Sequence, residues 1–110
     1  DMFLASQNIL LYIEGMDLKS FCGDYKTIDA VVRNIEILGE AVKNISDEFK
    51  NKYPEIEWSS IAKTRDKLTH GYFSVDSVIL WRIVSGNIPE LFRKLEKIIA
   101  KENWKDEISK

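Results

Sequence analysis

Within residues 58–72 a charged side chain falls inside an apolar stripe. Trp58, Ile61, Arg65, Leu68 and Tyr72 step by 3, 4, 3 and 4, the spacing of one helix face. An arginine in such a stripe must be paired or must face an open cleft, because an isolated buried charge is expensive. The first option is a structural salt bridge, with Glu36 or Glu40 as the partner. The second is an anion clamp, since a guanidinium presents a planar fork of donors suited to phosphate. His70 follows in the last turn of the same segment, and histidine is the side-chain type whose ordinary titration range lies nearest neutral pH. Five helical steps of about 100° turn it roughly 140° away from Arg65. Asp66 lies four residues before His70, shares its side and can accept its proton, while the helix C-terminus favours the charged ring. The plain alternative for His70 is a solvated residue capping the last turn.

This geometry bears on the chemistry. Arg65 and His70 of one chain are poorly placed to act on one phosphate. Two copies related by a two-fold axis can pool these residues in one groove, with Trp81 and Phe92 as anchors of the contact. Ordinary core packing is the alternative role for both aromatics.

The elements that must carry these residues read as helices. Ile28, Val31, Ile35, Leu38, Val42, Ile45 and Phe49 alternate steps of 3 and 4, which predicts one long amphipathic helix with Thr27 as its N-cap. Its other face holds Arg33, Glu36, Glu40, Lys43 and Asp47. A first helix is expected over 2–14, with Leu4, Ile9 (or Asn8), Leu11 and Tyr12 inward and Gly15 as its end. A connector with a short turn near 18–21 follows. Pro54 breaks the chain before a helix over 58–70 that Gly71 stops. Asp76 caps a helix over 77–85 with Val78, Ile79, Trp81, Ile83 and Val84. Gly86 and Pro89 kink or break the chain before a last helix with Leu91, Phe92, Leu95, Ile98 and Ile99. Residues 101–110 read as a polar, frayed tail. No strand alternation or internal repeat is present. The expectation is a single all-α domain over 1–110, a bundle of four to five antiparallel helices.

Composition narrows the function. The chain has 110 residues, 16 Lys+Arg, 18 Asp+Glu and a formal net charge of −2. A broadly basic nucleic-acid-binding domain is excluded, so any positive groove must be local. Lys63, Arg65, Lys67 and Arg82 are the candidates for it. His70 and Cys22 are the sole histidine and cysteine. They cannot form a Cys/His zinc site or an intrachain disulfide, and no metal or other cofactor is expected. The longest uninterrupted apolar run is Ile9-Leu10-Leu11-Tyr12-Ile13, far short of the roughly 20 residues that span a bilayer. No signal-peptide pattern is read, and a cytoplasmic location is expected.

Several segments resemble one known family in order. Arg65-Asp66-Lys67-Leu68-Thr69-His70-Gly71-Tyr72 is similar to the Arg-x4-His-x-Tyr signature of HEPN-domain toxins of the HepT type. Arg33-Asn34-Ile35-Glu36-Ile37-Leu38-Gly39-Glu40-Ala41 resembles the family's RNxEIIGEA segment. Tyr53-Pro54-Glu55-Ile56-Glu57-Trp58 resembles its YPEIPW connector, Tyr72-Phe73-Ser74-Val75-Asp76 its YFGVD stretch, and Pro89-Glu90-Leu91 its LPEL. Gly71 stands where many relatives carry Glu.

The resemblance implies a HEPN-type bundle, a homodimer, and a metal-independent endoribonuclease acting as the toxin of a toxin–antitoxin pair. In such enzymes an RNA 2′-hydroxyl attacks the adjacent phosphodiester. It implies His70 as general acid/base, Arg65 on the scissile phosphate, Asp66 as the orienting residue, and Tyr72 as a regulatory position. That tyrosine receives AMP groups from an MntA-type nucleotidyltransferase antitoxin. The chemistry suits the residues: a near-neutral histidine can trade protons, and a fixed cation stabilises developing charge. A non-enzymatic HEPN module that partners and regulates a nucleotidyltransferase is the competing expectation.

Overall fold

The computed structural model describes residues 2–69 and 76–109, with side chains over 2–68 and 76–103. All regular structure in these residues is helical. The elements are α1 (Met2–Ile13), α2 (Leu18–Cys22), α3 (Tyr25–Lys43), α4 (Asp47–Lys52), α5 (Trp58–Thr69), α6 (Ser77–Arg82), a π-helical turn (Ile83–Asn87) and α7 (Ile88–Ser109). Four rods make the bundle, because α6, the π turn and α7 run on without a break. Helix α3 packs against both α1 and α5, and α7 closes on α1.

The core follows the apolar stripe of α3. Val31, Ile35, Leu38 and Val42 are buried, and they meet Ile9 of α1, Leu80 and Val84 of the last rod, and Leu91, Leu95 and Ile98 of α7. A side chain of this kind contributes about 1.5–3 kcal/mol when fully buried, so the stripe alone sets the seam of the bundle.

Several boundaries differ from the sequence reading. Helix α3 begins one turn earlier than expected, because Asp24 and not Thr27 is its N-cap. The Asp24 carboxylate accepts from the Thr27 backbone N–H at 3.0 Å and from the Thr27 hydroxyl at 2.8 Å. The helix ends at Lys43 rather than near Phe49. Ser46 starts a new element there, its hydroxyl accepting from the Phe49 N–H at 3.1 Å, with Asp47 and Glu48 favourably placed in the first turn of α4. On α1 the buried residues are Met2, Ala5, Ser6, Ile9 and Ile13, while Leu4, Leu11 and Tyr12 are exposed. That helix is apolar nearly all round, so its periodicity does not choose a face.

In the last rod, Gly86 and Pro89 do not break the helix. The backbone widens into the π turn, and the Ile88 N–H donates to the Ile83 carbonyl just before Pro89, which has no N–H to offer. Asp76 caps α6 as expected, accepting from the Val78 N–H at 3.0 Å, but Val78 and Ile79 face outward and Leu80 inward. The backbone of α7 is helical to Ser109, across most of the stretch expected to fray. Trp81 and Phe92, considered above as anchors between copies, pack within their own chain. Trp81 lies on Phe21 with ring centroids 5.2 Å apart, and Phe92 stacks on Phe3 at 4.9 Å. Among the described residues no helix is long and apolar enough to cross a membrane.

The Thr27 hydrogen bonds hold the Asp24 carboxyl below the usual aspartate range. A carboxyl depressed in the folded state stabilises the fold above its unfolded pKa, and that contribution disappears as pH falls through the folded value. Asp24→Ala should therefore lower Tm at pH 7 and flatten the fall of Tm with acid. Thermal melts followed by circular dichroism from pH 7 to about pH 2 check both effects.

Candidate active site

The connector before α5 is a packed anchor. Tyr53 and Ile56 are each 2% exposed, and the Trp58 indole N–H donates to the Tyr53 carbonyl at 3.0 Å. The Phe49 ring packs against Tyr53 and Trp58, at centroid distances of 4.8 and 6.3 Å. Lys94 of α7 donates to the Glu55 carbonyl at 2.8 Å. The Tyr53 hydroxyl donates to Glu102 at 2.5 Å, which pushes its pKa up. These contacts fix where α5 starts and hence where its later turns lie on α3.

Two turns along, Arg65 meets α3. Its Nη2 lies 2.6 Å from the Glu40 carboxylate, and its Nη1 lies 3.3 Å from Asp66 Oδ1. Lys43, one turn beyond Glu40, reaches the same Asp66 oxygen at 3.8 Å. Two cations and two carboxylates thus interleave across the α3–α5 seam. The Arg65 side chain is 19% exposed, whereas Glu40 and Asp66 are about half exposed. The head group therefore sits at the rim of the seam with an edge toward solvent, and its stem lies inside. Of the two partners anticipated for Arg65, the structure selects Glu40. Glu36 pairs with Arg33 at 3.7 Å instead.

The remaining predicted residues are placed as follows. Lys63 and Lys67 are exposed on α5, each two residues and so about 160° round the helix from Arg65. Arg82 is exposed in the last turn of α6. The cation that the fold brings beside the Arg65–Asp66 pair is Lys43, which the sequence places only on the polar face of the long helix. Its i, i+3 spacing from Glu40 was the available signal. His70, Tyr72 and the helix stop at Gly71 lie outside the described residues. Helix α5 is described as far as Thr69, the residue before His70. A separate cleft of about 220 Å³, lined by Ile61 and Thr64 of α5 with Ile35, Ile83, Asn87 and Leu91, opens on the other flank of α5 from Asp66.

Comparison with known proteins gives the family. The sequence profile of the family described as Ribonuclease HepT-like matches residues 3–98. The chain belongs to the HepT-like ribonuclease family. It is 50% identical over 80 residues to a protein of Thermococcus cleftensis named "Probable ribonuclease HepT", covering 73% of each chain. It is 38% identical over 109 residues to a Methanocaldococcus jannaschii protein named "Putative RNase MJ0127", covering 99% of this chain and 90% of the relative. A protein of Caldanaerobacter subterraneus subsp. tengcongensis named "Putative RNase TTE0752" is 41% identical over 90 residues, covering 82% of this chain and 80% of the relative. No solved structure matches. In this HepT-like chain Arg65 pairs with Glu40 and Asp66, and all three lie in the segments whose residues resemble the family.

An external anion at Arg65 has to compete with the Glu40 carboxylate. Glu40→Gln should leave Tm within a few degrees of the parent, since half-exposed ion pairs contribute about 0–1 kcal/mol. It should also enlarge the rise in Tm produced by added sulfate. Thermal melts against sulfate concentration check this, with Arg65→Gln expected to remove the gain.

Proposed function

We propose that this chain is a metal-independent endoribonuclease and the toxin of a toxin–antitoxin pair. The observation that carries the reading is the Arg65 guanidinium held at the rim of the α3–α5 seam, one residue from Asp66 and five residues before His70. In this reading Arg65 binds the scissile phosphate and stabilises the charge that develops on it. His70 removes the proton of the 2′-hydroxyl, whose oxygen attacks phosphorus. The bond from phosphorus to the 5′-oxygen breaks, and that oxygen takes up a proton. The products are a 2′,3′-cyclic phosphate and a 5′-hydroxyl. Each transfer needs a group that titrates near neutral pH. The chain has a single histidine, so a homodimer supplies the second group from the other copy's His70. Lys63, Lys67 and Arg82 contact the RNA backbone beyond the cleavage point.

Tyr72 is the regulatory residue in this proposal. It stands seven residues after Arg65 in the sequence, at the next position of the 3–4 spacing that starts at Trp58. An AMP group added there by an MntA-type nucleotidyltransferase antitoxin brings a bulky anion next to the arginine. It occupies the anion site and repels the RNA backbone.

A second reading has an observation of its own. Glu40 and Asp66 already pair with Arg65, as they would in a non-enzymatic module whose arginine is structural and whose role is to partner a nucleotidyltransferase.

Purified parent protein should cleave single-stranded RNA in the presence of EDTA. Both His70→Ala and Arg65→Ala should lose about 10²- to 10⁴-fold in rate while keeping the helical circular-dichroism spectrum. A His70→Ala protein that cuts RNA as fast as the parent would falsify the catalytic assignment. Intact mass after incubation with the nucleotidyltransferase and ATP should show added AMP on the parent and none on Tyr72→Phe. AMP addition to a chain that never cleaves RNA establishes the module instead.

A further inference from the structure

Gly39 is buried on α3 where that helix crosses α5. A Cβ built on it would overlap both the Cβ and the Cγ of Arg65 and would lie 3.1 Å from its Cδ. The atoms struck are the root of the arginine, not its flexible end. Cβ is fixed to the α5 backbone and Cγ is one bond further, so turning the guanidinium cannot relieve the overlap. Backbone freedom does not explain the glycine, because the positive φ among the described glycines is at Gly15. In mid-helix a glycine is otherwise a poor choice. What it provides here is close approach, a notch in α3 into which the arginine stem fits.

The next residue along α3 is Glu40, which takes the other end of the same side chain at 2.6 Å. Adjacent residues on one helix therefore set the two ends of the arginine, its root by absence of a side chain and its tip by charge.

We propose that Gly39 is a positioning residue for the Arg65 clamp. The notch sets how deep the stem lies, and the depth sets where the guanidinium emerges at the rim. A methyl group in the notch must push α3 and α5 apart, because the Arg65 Cβ cannot turn away from it, and that shift moves the head group away from the reacting phosphate. Misplacement by about 1 Å costs an enzyme on the order of 10²-fold in rate. The catalytic part of this proposal rests on the reading of Arg65 as the phosphate clamp. The steric part does not.

The test pairs kinetics with a thermal cycle on the full chain. Gly39→Ala should keep its helical spectrum, lower kcat for RNA cleavage by at least about tenfold per folded molecule, and change KM by less than about threefold. It should also lower Tm by about 5 °C or more in the parent background and by less than about 2 °C in an Arg65→Gly background. If Gly39→Ala alone does not fold, the Gly39→Ala/Arg65→Gly pair should recover the melting behaviour of Arg65→Gly. Equal losses of Tm in both backgrounds, or a double variant that stays unfolded, overturn the notch. Parental kcat in Gly39→Ala overturns the positioning role. A parent chain that cleaves no RNA sinks the enzymatic reading by itself, and the thermal cycle still decides the notch.

Discussion

The arrangement depends on a cation placed in an apolar seam. Arg65 occupies a position on α5 where the stripe calls for a hydrophobic residue; fully buried and unpaired, its charge would cost several kcal/mol, but its head group reaches the solvent-facing rim, where each ion pair contributes only about 0–1 kcal/mol. The fold meets this constraint from the neighbouring helix. Glu40 stands opposite at 2.6 Å, Asp66 lies beside the guanidinium, and Lys43 balances the second carboxylate. The register of α5 on α3 cannot slide by a turn without taking Arg65 away from Glu40 and out of the space beside Gly39. The Tyr53, Ile56 and Trp58 anchor then has a clear purpose. It holds the start of a helix whose later turns must meet α3 at one register.

Much of this was legible in the residues. The arginine announced itself by breaking an apolar 3–4 stripe, and the cost of burying charge made pairing with a carboxylate of the long helix one of two expected outcomes, the other being an open cleft. Glu36 and Glu40 remained equal as partners because they are one turn apart on the same face. Only the crossing point decides between them, and a crossing point is a tertiary fact. Gly39 carried a hint, since a mid-helix glycine beside a stripe of Val, Ile and Leu needs a steric reason.

Other features were hidden for physical reasons. The stripe from Ile28 to Phe49 keeps perfect helical spacing through the break at residues 44–46, because Ile45 and Phe49 still pack on the core after the chain has turned. The local signal was Ser46 followed by Asp47 and Glu48, which is an N-cap with an acidic first turn. Helix α1 misled in the opposite way, offering apolar residues on every side. The π turn shows a third case. Gly86 and Pro89 read as a break, yet one widened turn carries the ladder past the missing amide and keeps the rod whole.

An arginine already engaged by carboxylates can still serve as an anion clamp, and the location of the pair explains why. Deep in a core, exchanging Glu40 for a phosphate would strand a carboxylate without water. Here Glu40 is 55% exposed, so it can release the guanidinium into solvent contact at little cost, while the stem stays fixed between the helices. A phosphate that displaces it replaces one anion by another of greater charge and gains the same preset fork of donors. Under the proposed function, the resident carboxylate is a stand-in that keeps the arginine extended and oriented between substrates. In that reading, preorganisation is the main lever a small, net-negative domain would have for stabilising charge on a phosphate, because it cannot rely on a broadly positive surface.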